Sequence, residues 1–137
     1  MNKVELFLNQ HIVNSLLSKK IDLALSVHGI SFTEFVLLYQ LSLNQNMGLN
    51  RISLANKVGL TASGITRVLS PLEKNGIVVK KNNTRDARES IVLLSDTGQE
   101  LLKNAMTTTD LTVENIFSLL STKELLALQS LLNKLKI

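Results

Sequence analysis

The segment from Thr61 to Lys74 constrains the fold more than any other part of the chain. On a helical wheel, Val68, Leu69 and Leu72 fall within about 60° of Ile65. Ser63, Arg67, Ser70 and Lys74 fall within about 40° of the opposite pole, with Thr66 at their margin. One face is a core stripe, and the other is small, polar and basic. A shorter helix is predicted over 51–58, with Ile52, Ala55 and Val58 facing inward, and Gly59-Leu60 breaks it. Thr61 then caps the longer helix, which ends at Asn75-Gly76. Helix, tight glycine turn, helix is the helix-turn-helix plan. Pro71 removes one backbone bond to the Arg67 carbonyl, so a bend or looser turn is expected near 67–71.

A hairpin follows directly. Ile77-Val78-Val79 reads as a strand, Lys80 to Glu89 as a charged tip, and Ser90 to Leu94 as the returning strand. The expected fold is therefore mainly α with a small β-hairpin wing, a winged helix-turn-helix. In such a unit the long helix enters the major groove of double-stranded DNA, and the wing reaches the minor groove. Thr61, Ala62, Ser63, Thr66, Arg67, Ser70 and Lys74 are the candidate groove residues. Small side chains allow close approach, and an Arg can bond guanine through two parallel hydrogen bonds. Thr61-Ala62-Ser63-Gly64 also leaves the positive helix N-terminus open to a phosphate. An ordinary solvated helix face is the competing reading.

Charge is partitioned the same way. Residues 50–90 hold eight basic and three acidic groups, net +5, whereas the other 96 hold seven and eight, net −1. A basic block points first to a polyanion. Lys80, Lys81, Arg85 and Arg88 fall on the wing, and Arg51 and Lys57 are generic candidates for the DNA backbone.

The 137 residues make at most about one domain, and 45% hydrophobic content excludes disorder. The chain has no cysteine, which excludes disulfides, thiol catalysis, thiol redox sensing and thiolate metal sites. His11 and His28 lack paired carboxylates nearby, so no metal site or cofactor is expected. Met1-Asn2-Lys3-Val4-Glu5 does not open a signal peptide. The longest apolar run, Phe35 to Tyr39, falls far short of the roughly 18 residues of a spanning helix. A cytoplasmic protein that does not engage a membrane is expected.

The basic block is flanked by apolar arms. The first is a helix over 2–28 ended by His28-Gly29. Ser31-Phe32-Thr33-Glu34 is a capping box that opens a mostly buried helix reaching about Asn44. Beyond the hairpin, Ser95-Asp96 opens a helix expected to run to about Leu120 and to weaken or kink at Thr107-Thr108-Thr109. Ser121 to Glu124 forms a second capping box, before a last helix carrying Leu125, Leu128, Leu131, Leu132 and Leu135. Leu6, Phe7, Leu16, Leu17, Ile116, Phe117, Leu119, Leu120 and Ile137 add to the apolar arms. A lone winged helix cannot cover all of these, so a homodimer is expected, with a larger monomeric core as the alternative.

From about Ser31 to Leu102 the chain resembles the MarR family of bacterial transcription regulators. The resemblance is carried by Ile52-Ser53-Leu54-Ala55-Asn56-Lys57-Val58, Thr61 to Arg67, Leu72 to Val78, Arg85-Asp86-Ala87-Arg88 and Leu94-Ser95-Asp96-Thr97-Gly98. It implies a single domain over 1–137, with dimerisation helices at 1–30 and 96–137 around a winged helix at 31–95. Each winged helix would meet half of a palindromic operator. Asp86 and Arg88 match the family's Asp-x-Arg wing motif. A carboxylate two residues away can orient the guanidinium before it enters the groove. Asn83, Thr84 and Ala87 depart from the commonest wing pattern.

The resemblance also implies release from DNA by a small aromatic or amphipathic effector. His11, His28, Tyr39 and Met106 are the candidate lining residues, with ordinary packing as the competing reading. The leading expectation is a DNA-binding repressor. The alternative is a winged-helix protein-interaction module that does not read DNA sequence. No nucleophile–base set or phosphate-cradling loop appears, so an enzyme is not expected.

Overall fold

The structure is a computed structural model that describes residues 1–86 and 88–136. Ala87 of the wing motif and Ile137 of the apolar arm lie outside the described residues. The elements are α1 (Lys3–Leu25), a single 3-10 turn (Ser26–His28), α2 (Phe32–Ser42), β1 (Leu49–Asn50), α3 (Arg51–Val58), α4 (Ala62–Lys74), β2 (Val78–Asn82), β3 (Ser90–Leu94), α5 (Asp96–Phe117) and α6 (Thr122–Leu135).

Five of the helices start on a Ser, Thr or Asn cap whose side-chain oxygen accepts a backbone N–H three residues on. Ser31 serves α2, Asn50 α3, Thr61 α4, Ser95 α5 and Ser121 α6. Both expected capping boxes close. In the second, the Ser121 backbone and hydroxyl bonds hold the exposed Glu124 carboxyl below its ordinary pKa. An extra bond ties α1 to α2: the Phe32 N–H donates to the Asp22 carboxylate at 2.6 Å.

The core lies where α2, α3, α4, β3 and α5 meet. Leu37, Leu38 and Leu41 of α2 pack there with Leu54, Ile65, Leu69, Leu72 and Val92, all essentially out of water. Each such side chain contributes roughly 1.5–3 kcal/mol on burial. α1 adds only Ile21 and Leu25, from its last turns.

Four expectations require correction. Ile52 is not inward: it is 72% exposed, and Leu54 and Ala55 make the inner face of α3. An eight-residue helix buries a narrow stripe, and Leu54 outcompetes Ile52 for it. α4 is helical through Pro71, with no looser turn. Pro71 lies on the solvent side while Leu69 and Leu72 are buried on either side of it, so tertiary burial holds the register. α5 does not break at its threonines. Thr107 and Thr112 hydroxyls bond back to carbonyls four residues earlier, and Thr108 pairs with His28, so side-chain polarity is absorbed without leaving the helix. That helix ends at Phe117, before the expected Leu120.

The wing sheet also has three strands, in the order β1-β3-β2, all antiparallel. The third strand was not expected because β1 is two residues long and shows no alternation. Gly48 makes it possible. Its φ is +70°, and a Cβ there would lie 2.7 Å from the Val92 carbonyl oxygen.

The joint between wing and α5 is the tightest in the molecule. The Ser95 hydroxyl donates to the carbonyls of Gly76 and Ile77 at 2.5 and 3.0 Å, and its N–H donates to Ile77 at 3.1 Å. Gly98, one turn into α5, packs so closely on the Ile77 carbonyl that a Cβ would collide with it. In an ordinary helix Gly→Ala is stabilising by about 1 kcal/mol. Gly98→Ala is expected to reverse that sign and destabilise by about 1–3 kcal/mol in urea unfolding. A stabilised Gly98→Ala variant would contradict the joint.

Candidate nucleic-acid interface

Burying Ile65, Leu69 and Leu72 turns the other side of α4 outward. Thr61, Ala62, Ser63, Thr66, Arg67, Ser70 and Lys74 are all exposed, as the wheel predicts. At the N-terminus the Thr61 hydroxyl accepts the Gly64 N–H at 3.1 Å and lies 3.2 Å from the Ser63 hydroxyl. The first turn therefore presents small side chains beside free backbone donors.

Glu73 is the single carboxylate on α4, and it is neutralised. Arg51, at the start of α3, donates to Glu73 at 3.0 Å and to the Thr66 hydroxyl at 3.2 Å. The Arg51 side chain is only 26% exposed. Its expected place beside Lys57 as a backbone contact is thus corrected. The guanidinium braces α3 against α4, because a carboxylate within reach outcompetes water. Lys57, in the last turn of α3, stands exposed.

Lys80 and Lys81 are exposed on β2, an edge strand, opposite Val92 and Ile91 of β3. At the tip, the Asp86 carboxylate accepts the Arg88 backbone N–H at 3.0 Å and lies 3.5 Å from its Nε. The Arg88 side chain is otherwise 93% exposed. Asp86 thus directs the start of a guanidinium that projects into solvent. Arg85 is exposed too, and its backbone N–H is held by Asn83.

Residues the sequence reading passed over tie this tip down. Glu89 binds the Asn83 amide at 2.9 Å and, through its other oxygen, the Asn50 amide. Asn83, read as a departure from the wing pattern, is here a turn-former. The only sequence signal was the Asx-turn preference of Asn, which does not name a distant partner.

The four candidate effector residues do not converge. His11 lines a groove of about 450 Å³ between α1 and α6, with Leu6, Phe7, Leu128 and Leu132, and without His28, Tyr39 or Met106. His28 Nε2 lies 2.6 Å from the Thr108 hydroxyl and so ties the 3-10 turn to α5. Met106 packs on the core, and Tyr39 is partly exposed on α2. Their sequence positions carried no information on which element each would face.

These features define a winged helix-turn-helix with an exposed basic reading face. The chain matches the family described as transcriptional regulator SarA/Rot over residues 17–106, and it belongs to that family. The transcriptional repressor MprA of Escherichia coli K12 is 27% identical over 125 residues, 91% of this chain and 70% of that protein. Two solved structures share the fold at 21% identity. MarR of E. coli complexed with operator DNA has a TM-score of 0.89, covering 98% of this chain and 95% of that one. CouR of Rhodococcus jostii RHA1 bound to p-coumaroyl-CoA has a TM-score of 0.83, covering 98% and 92%. The resemblance to MarR proteins thus holds in the fold, and both family and fold are those of transcription regulators. No single helix among the described residues is long and apolar enough to cross a membrane.

If Arg51 braces α3 on α4, Arg51→Ala and Glu73→Ala should be non-additive. A double-mutant cycle in urea unfolding is expected to give a coupling of about 0.5–1 kcal/mol. Lys57→Ala should leave stability unchanged. Additive losses from Arg51 and Glu73 would contradict the brace.

Proposed function

We propose that the chain is a sequence-specific, homodimeric repressor that binds double-stranded DNA. One observation carries this reading: α4 exposes seven small, polar or basic residues, and its lone carboxylate is bound by Arg51. In this reading Arg67 and Ser70 face base edges, Ser63 and Lys74 face phosphates, and Lys57, Lys80 and Lys81 add backbone contacts. Arg88, aimed by Asp86, enters the minor groove, with Arg85 beside it. Residues 31–95 form the reading unit, and 1–30 with 96–137 the dimerisation helices.

The arms support dimerisation. α6 buries no residue in one chain, and Leu126, Leu131, Leu132 and Leu135 stand in water. Leu6, Phe7, Ile12 and Leu16 of α1 do the same. A 14-residue helix without a packed face is marginal alone, so a second copy is its natural cover. An aromatic or amphipathic effector remains part of the proposal through the ligand of the CouR structure. Its site is not the His11, His28, Tyr39 and Met106 set within one chain.

Arg88→Ala should weaken operator binding about tenfold or more in gel shifts at fixed salt, with the dimer intact by light scattering. Unchanged affinity would remove the wing from the reading. Arg67→Ala should relax base preference in selection from random operators, and recovery of the wild-type motif would show that Arg67 reads no base. A solution mass near 15.1 kDa, one chain, would contradict the dimer.

A further inference from the structure

Glu89 is an acidic residue in the most basic part of the molecule, one residue from Arg88. As a plain surface charge it would repel DNA. Its hydrogen bonds say otherwise. One carboxylate oxygen accepts from Asn83 at 2.9 Å, on the wing tip. The other accepts from Asn50, at the junction of β1 and α3. The Asn83 N–H also donates to the Glu89 carbonyl at 2.8 Å.

Both amides are locked in orientation. The Asn50 side-chain oxygen accepts the Ser53 N–H at 2.7 Å as the cap of α3, so its NH2 must face Glu89. The Asn83 side-chain oxygen accepts the Arg85 N–H at 2.9 Å, so its NH2 must face Glu89 too. Two donors converge on one side chain. Only a group that accepts at both oxygens satisfies them, which a carboxylate does and an amide does not.

We infer that Glu89 is a positioning residue: it clasps the wing tip to the N-cap of α3 and so fixes where Arg85 and Arg88 stand relative to α4. The inference rests on the DNA reading proposed above. The clasp spans the helix-turn-helix and the wing, which are otherwise joined at this end through the β1–β3 pairing alone among the described residues. A wing free to swing would carry Arg88 to many places, and ordering it on DNA would cost affinity.

The test opposes two signs. If Glu89 only repels DNA, Glu89→Gln tightens binding. If it clasps, Glu89→Gln sets an NH2 against an NH2 and weakens binding, by about tenfold at fixed salt. Asn83→Asp alone places two carboxylates together and weakens binding as well. Combining Asn83→Asp with Glu89→Gln restores complementary partners without changing net charge, so affinity should return to within about threefold of wild type. Footprints of Glu89→Gln should lose protection outside the α4 contacts and keep it inside them.

A second readout needs no DNA. Exchange of the Arg85 and Glu89 amides should quicken about tenfold in Glu89→Gln and recover in the double variant, with unfolding temperatures matched. Unchanged exchange overturns the clasp whatever DNA does. Unchanged or tighter DNA binding by Glu89→Gln also overturns it. Quickened exchange in a wild-type background that selects no DNA would instead overturn the DNA reading and leave a clasp without that purpose.

Discussion

Ile65, Leu69 and Leu72 leave water along one side of α4, and helical geometry then decides what the opposite side must show. Three large apolar side chains at roughly 1.5–3 kcal/mol each outweigh the local cost of Pro71 and keep the helix in register through it. Ser63, Arg67, Ser70 and Lys74 are exposed as a consequence of that burial, not by separate arrangement. The same packing brings α3 alongside, so that Arg51 meets Glu73 and removes the only negative charge from α4. Core packing and the electrostatics of the reading face are therefore one problem with one solution.

The wing depends on this frame at two points. At its base, Ser95 and Gly98 lock the start of α5 against Gly76 and Ile77, which sets the angle between the hairpin and the helical arm. At its tip, Asp86 orients Arg88 while Glu89 ties the turn to Asn50. Such a joint gives the arms a mechanical route to the wing. A change in how two copies pack through α1, α5 and α6 would move Ile77 before it moved α4. That is the physical form a response to an effector would take on this fold.

Much of this was legible in the residues. Period-3.6 apolar spacing marked α4, and Ser, Thr and Asn caps marked the starts of the helices, because both signals are local and each has one common structural outcome. The two capping boxes and the exposed groove face follow the same rule. What was not legible depends on distant partners. Ile52 reads as inward on a wheel, yet a helix as short as α3 leaves the choice of face to whatever packs on it. β1 has only two residues, and its evidence is Gly48, whose missing Cβ matters solely because β3 lies against it. Arg51 looked like a phosphate ligand because sequence shows its charge but not Glu73, 22 positions away. His28 and Glu89 were hidden likewise, since their partners Thr108 and Asn50 lie 80 and 39 positions away.

The central claim is that one surface, built twice by symmetry, reads DNA. Selection from a pool of random duplexes by the full-length chain tests it most directly. The account predicts enrichment of an inverted repeat whose half-sites lie one helical turn apart, about 34–36 Å between centres. Enrichment of no motif, or of a single unrepeated half-site, would contradict it.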